Sequence, residues 1–137
     1  MSFQNPTQEQ IKKLLNESKT IAVIGLSDNP GRTSYQVSQA MQEAGYRIIP
    51  VNPTIQESLG EKAYASISEV KEPIDIINVF RRPEHLPEIA KECKGVKAKA
   101  FWGQQGVIHP EAYEQLKDSD MLVIMDMCIK VAQAILR

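Results

Sequence analysis

Apolar positions along this chain follow two alternating rhythms. Ile11, Leu14 and Leu15 fall at helical spacing behind Thr7-Gln-Glu-Gln10. In that tetrad a threonine hydroxyl and a glutamine amide can each satisfy the other's backbone N–H, so a first helix is predicted to about Ser18. Residues 21–24 form a short β-branched run, the pattern of a buried strand. Ser34 is then predicted to cap a second helix, with Val37, Ala40, Met41 and Ala44 on one face and Gly45 as its stop. The alternation continues with a strand over 47–51, halted by Asn52-Pro53, a loop through Gly60 and a short helix around 66–70. A strand over 74–80 follows, then a helix that opens between Pro83 and Pro87, carries Ile89, Ala90 and Cys93, and ends near Gly95. Next come a strand over 98–102 and a helix opening at His109-Pro110. A strand over 121–125 and a closing helix over 128–136 complete the series.

Strands that alternate with helices and read as unbroken apolar runs belong to parallel sheets covered on both faces. The predicted fold class is therefore α/β: a Rossmann-like three-layer fold with a five-stranded parallel sheet. Residues 1–137 are expected to form one domain, with the helix in 1–18 packed on it. In such a sheet every strand ends at the same edge, and ligands gather there at the point where the strand order reverses. The loops to inspect are 27–34, 52–54, 81–84, 103–106 and 126–128.

Composition narrows the ligand. With 137 residues, net charge −1 and a pI near 6.1, the chain lacks the basic footprint of a nucleic-acid or anionic-membrane binder. Its longest apolar run, 121–125, is far too short to span a bilayer. No basic segment followed by an apolar one opens the sequence, so no export signal is expected, and a cytoplasmic location follows. Cys93 and Cys128 lack metal-type spacing and are expected to be reduced. His85 and His109 stand apart, so no metal site is expected.

The loop after the first strand is the most informative. It holds Gly25, Leu26, Ser27, Asn29, Arg32, Thr33 and Ser34 at a strand–turn–helix junction, where backbone N–H groups and the helix dipole favour an anion. It is not a dinucleotide fingerprint: that spacing would need glycines where Ser27 and Pro30 stand. Val51, Asn52 and Pro53 end the second strand with no acid to hold a ribose, which weighs against NAD. Asn52 and Pro53 could wall an adenine or simply make a turn. Phe80, Arg81 and Arg82 follow the third strand. The two guanidiniums suit phosphate, unless they only pair with Glu84 or Glu88. Trp102, beside glycines, could line a groove or belong to the core. Cys128 near Lys130 could be a reactive thiol at a helix start or a small apolar filler. No triad, carboxylate pair or other catalytic constellation is visible.

Taken in order, Gly25-Leu-Ser-Asp-Asn-Pro30 with Arg32 and Ser34, Tyr46-Arg-Ile-Ile-Pro-Val-Asn-Pro53, Leu59-Gly-Glu-Lys62, Val79-Phe80-Arg81, Trp102 with Gln104 and Gly106, and Met125-Asp-Met-Cys128-Ile-Lys130 resemble the small stand-alone CoA-binding proteins. These are similar to the N-terminal CoA-binding domain of the succinyl-CoA synthetase α subunit. The resemblance implies coenzyme A, or an acyl-CoA, across the carboxyl edge. The loop from Gly25 to Ser34 would hold the pyrophosphate, residues 51–53 would border the adenosine, and residues 80–83 would complete the pocket. The synthetase carries a lysine after the proline of the second-strand loop, whereas Thr54, Ile55 and Gln56 stand here. A cation for the 3′-phosphate would come from Arg32, Lys62 or Arg81. Neither the phosphohistidine domain nor the nucleotide-binding subunit of the synthetase is found in the sequence. The expectation is thus a CoA-binding module, non-catalytic by itself, whose partner could be a larger enzyme or a second copy. An NAD(P)-binding oxidoreductase domain and a thiol-redox protein using Cys128 remain alternatives.

Overall fold

Five strands of the computed structural model, which describes residues 3–136, lie parallel in one sheet. They are β1 (Thr20–Ile24), β2 (Arg47–Val51), β5 (Ile76–Val79), β6 (Ala100–Gly103) and β7 (Leu122–Ile124), in the order β2-β1-β5-β6-β7. Side chains alternate across each strand. Ile21 and Val23 of β1 enter one hydrophobic cluster, while Ala22 and Ile24 enter the other. Both clusters are covered by helices, which is why the strands read as continuous apolar runs. The helices α1 (Gln8–Glu17), α2 (Thr33–Glu43) and α5 (Ile129–Leu136) supply the cluster on one face. The helices α3 (Leu86–Cys93) and α4 (Pro110–Leu116), with a 3₁₀ turn at Ile67–Glu69, supply the other. The predicted Rossmann-like three-layer α/β fold is borne out.

Local signals explain most boundaries. Thr7 caps α1 through a reciprocal pair: Gln10 N donates to Thr7 Oγ1 at 3.2 Å, and Thr7 N donates to Gln10 Oε1 at 2.9 Å. His109 caps α4, its Nδ1 accepting from Glu111 N at 3.1 Å. Pro50 is tolerated inside a strand because β2 is an edge.

Three expectations are corrected. Ser34 does not cap α2: the N-cap is Arg32, and Ser34 lies one residue inside the helix. The loop after β2 contains a small antiparallel pair, β3 (Glu57–Ser58) and β4 (Glu61–Lys62). Beyond it the chain returns to β2, with Tyr64 N donating to Pro50 O at 3.0 Å and Asn52 N to Tyr64 O at 2.8 Å. The third, fourth and fifth strands of the main sheet begin one or two residues later than the apolar runs, although Asp75 and Lys99 just before β5 and β6 already bond to neighbouring strand segments, Asp75 N to Thr20 O and Lys99 N to Asp75 O.

Candidate functional site

The chain leaves β1 toward β2 on one side and β5 lies on the other, so the loops after β1 and β5 diverge and open a crevice. A groove of about 600 Å³ occupies it. Of the predicted residues, Gly25, Arg32, Val51, Asn52, Pro53, Phe80, Arg81 and Arg82 line it. Ile67 and Ile89 give it an apolar wall and Ser66 a polar one, and Glu92 is the one acidic residue in its lining. Sequence reasoning missed these residues. They reach the site only because the segment after β4 pairs back with β2 and because α3 packs beside it.

Gly25 sets the depth of the crevice. Its φ is +89°, in the left-handed region where a side chain is strained, and a Cβ placed on it would lie 2.5 Å from the Phe80 carbonyl oxygen. The backbones of the first and third loops therefore touch.

The loop that follows is tied together internally. Ser27 N donates to Ser34 Oγ at 3.0 Å, Asn29 N to Ser27 Oγ at 3.0 Å and Gly31 N to Asn29 Oδ1 at 2.9 Å. Leu26 is wholly buried in the core and does not line the groove. No side chain caps α2, and its first intrahelical bond is made by Gln36 N to Arg32 O at 3.1 Å. The N–H groups of Thr33, Ser34 and Tyr35 thus form the positive end of the helix.

Asn52 braces the loops. Its Nδ2 donates to Leu26 O at 3.0 Å, and its Oδ1 accepts from Thr54 N at 2.9 Å and Thr54 Oγ1 at 2.8 Å. With its oxygen accepting twice and one Nδ2 hydrogen committed, Asn52 has a single amide N–H left to offer a ligand, beside the flat ring of Pro53. Arg32, Arg81 and Arg82 are exposed, and none of the ion pairs among the described residues uses them. The pairing of Arg81 or Arg82 with Glu84 or Glu88 is therefore not seen there. Lys62, on β4, lies outside the groove lining.

Trp102 is a core residue, which corrects its assignment to the ligand set. It is wholly buried among Ile21, Leu26 and Ile124, and its indole Nε1 donates to Met127 O at 2.8 Å. Cys128 is half-buried and free, at the start of α5. Cys93, the last residue of α3, is buried against the sheet-face cluster, and burial pushes its thiol up to about 12. Among the described residues no group of His, Cys, Asp and Glu could hold a metal, and no helix is long and apolar enough to cross a membrane.

A larger cleft, about 930 Å³, lies at the opposite end of the sheet beside Lys71, Asp75, Lys97 and Lys99. It faces the amino ends of the strands, and the Lys99–Asp75 pair at 3.7 Å already offsets part of its charge. The carboxyl-edge groove is the better ligand site.

The sequence and the fold are both similar to those of known proteins. A family model described as a CoA binding domain matches residues 19–134. A Bacillus subtilis protein, YneT, is 58% identical over 133 residues, covering 97% of this chain and 98% of that one. An ADP-forming acetate–CoA ligase of Methanocaldococcus jannaschii is 31% identical over 87 residues, covering 62% of this chain but only 12% of the ligase. Among solved structures, a Thermus thermophilus protein termed cell-free ID.343 superposes with a TM-score of 0.91 at 36% identity, over 96% of this chain and all of that one.

Proposed function

This chain belongs to the CoA binding domain family, and from that premise we propose that it binds coenzyme A or an acyl-CoA at the carboxyl edge, as a binding module without chemistry of its own. One observation carries the reading: Arg32, the N-cap of a helix start that no side chain caps, lines a groove with an apolar wall together with Arg81 and Arg82, and among the described residues none of the three is in an ion pair. That is the donor set a polyphosphate with an adenosine head requires.

The parts divide by chemistry. The first turn of α2, from Thr33, with Gly25, Ser27 and Asn29 shaping its approach, faces the pyrophosphate. Val51, Asn52 and Pro53 border the adenosine, with Ile67 and Ile89 opposite. Arg81 and Arg32 are the candidates for the 3′-phosphate, since Lys62 lies outside the groove lining. Partial identity to an acetate–CoA ligase region supports CoA as the ligand class and leaves the ligase reaction with the ligase.

A thermal-shift panel with CoA, dephospho-CoA, acetyl-CoA, NAD and NADP tests this. CoA at 100 times its dissociation constant stabilises the fold by about 2.7 kcal/mol. Dephospho-CoA is expected to do less, and the gap is expected to close in Arg81→Ala or Arg32→Ala. No shift with CoA, or an equal shift with NAD, removes the reading.

A further inference from the structure

We propose that the apolar cleft beside α5 receives the acyl chain of a CoA thioester, so that the preferred ligand is a medium-chain acyl-CoA rather than free CoA; this rests on the CoA reading above. The cleft measures about 470 Å³ and lies between α1 and α5. Ile11, Met127, Val131, Ile135 and Leu136 give it its character, and Asp126 at its mouth is the one charged residue among those lining it. Val131 and Ile135, one turn apart on α5, are 50% and 74% exposed. Two large aliphatics bared side by side on a helix otherwise bound to the core mark a surface that something apolar covers.

Position selects the occupant. The mouth is formed by Gln105 and by Asp126 to Cys128, the loops after β6 and β7, on the same sheet edge as the α2 end. From β1 to β7 is three strand spacings, about 14 Å. The arm between a CoA pyrophosphate and its sulfur is a chain of some thirteen bonds with two amides, about 15 Å when extended at peptide-like dimensions. A pyrophosphate at α2 therefore delivers the thioester to this mouth, and an acyl chain continues into the cleft. The lining offers no cation to a free carboxylate, which favours a chain whose polar head is anchored elsewhere.

The mouth is also held rigidly. Gly106 N donates to Asp126 Oδ1 at 2.7 Å, with Asp126 itself at φ 58°. Below them the buried Gln104 Oε1 accepts from Ile129 N at 2.9 Å and Asn78 Nδ2 at 3.3 Å, fixing the start of α5 over the sheet.

Titration calorimetry with CoA, acetyl-CoA and octanoyl-CoA below its micellar range tests the proposal. A fully buried methylene strengthens binding about fourfold, and half burial in an open cleft about twofold. Octanoyl-CoA, six methylenes longer than acetyl-CoA, is then expected to bind about 60-fold tighter at twofold per methylene. In the double variant Val131→Ser with Ile135→Ser the preference is expected to fall to within a few-fold while CoA itself binds as before. Equal affinity for acetyl- and octanoyl-CoA, or a preference that survives in the variant, overturns the proposal and leaves the CoA reading intact. Failure of all three ligands overturns that reading instead. A dimer broken by the double variant, with no chain-length preference, gives this face to a second copy and also overturns the proposal.

Discussion

Gly25→Ala probes the contact on which the crevice depends, and Gly45→Ala is its internal control. Both glycines hold positive φ, +89° and +107°, so alanine pays a left-handed backbone cost of about 1–2 kcal/mol at either. Alanine also restricts the unfolded chain, which returns about 0.4–1 kcal/mol. At Gly45 nothing lies within 4 Å of the added carbon, so the account ends there with a net loss near 1 kcal/mol. At Gly25 the new carbon would meet the Phe80 carbonyl oxygen at 2.5 Å and the Arg81 side chain at 3.1 Å. The first is backbone and cannot swing aside, so the two loops must part. Overpacking of this kind adds about 1–3 kcal/mol, giving a total of about 2–4 kcal/mol. For a chain of this size 1 kcal/mol moves the melting temperature by about 3–4 °C, so Gly25→Ala should melt about 7–14 °C lower. Urea unfolding at equal m-values checks the stability difference. CoA stabilisation, read in the same scans, should fall in Gly25→Ala and persist in Gly45→Ala. If Gly25→Ala matches Gly45→Ala within about 0.5 kcal/mol, roughly the scatter of a surface substitution, the first and third loops are not in contact and the reasoning is wrong.

Two further outcomes concern titration. Cys93 keeps its proton to about pH 12 in the fold, against 9.0 for a free thiol, so the unfolded chain releases that proton first. The folded state then binds more protons than the unfolded one between these values, and stability should fall with rising pH by up to about 1.4 kcal/mol per unit. In Cys93→Ala, measured by urea unfolding from pH 8 to 11, this contribution should vanish and the slope become shallower. Glu72 accepts from Arg47 Nε at 2.5 Å and Arg47 Nη2 at 2.8 Å, and this pairing holds its carboxyl below its usual range against the opposing effect of burial. A lowered carboxyl contributes stability above its unfolded pKa and loses it as pH drops through the folded value. Both groups are part-exposed, so Arg47→Ala should cost no more than about 1 kcal/mol at pH 7. The difference from the parent should shrink at pH 3, and urea midpoints at the two pH values decide it.

The sheet was legible because its strands are buried on both faces and its helices carry full apolar stripes. Where a signal needs several residues to repeat, short elements escape it: β3 and β4 have two residues each, too few for any period. Ser34 was misread for a different reason. Its hydroxyl serves Ser27 N across the loop, and a hydroxyl near a helix start cannot announce from sequence which N–H it will accept. Trp102 was misplaced because its glycine neighbours suggest a loop, whereas it lies within β6, which is buried on both faces. Ala100 and Trp102 share the face of Ile76 and Ile124, and that face is core. The groove itself was half legible. Residues next to strand ends were found, while Ser66, Ile67 and Ile89 depend on a long-range return to β2 and on helix packing.

The missing glycine fingerprint has a structural meaning once the loop's donors are followed. In a glycine-rich phosphate loop the backbone N–H groups themselves wrap the anion. Here those of Ser27, Asn29 and Gly31 are spent on side chains of the same loop, and that of Gly25 on Val51 O at 2.9 Å. Ser58 Oγ donates to Ser27 O at 2.8 Å and Asn52 Nδ2 to Leu26 O, so neighbouring segments clamp the loop from outside. Such a loop cannot mould itself around a phosphate, and it has no need of extra glycines to do so. On the CoA reading, its work is to hold the start of α2 uncapped beside the crevice that Arg32 lines. An anion there would meet a fixed helix terminus, and only the arginine side chains would lose freedom on binding, at about 0.5–1.5 kcal/mol each. Pro30, which can neither donate nor flex, counts against a dinucleotide loop but is well suited to a rigid bracket.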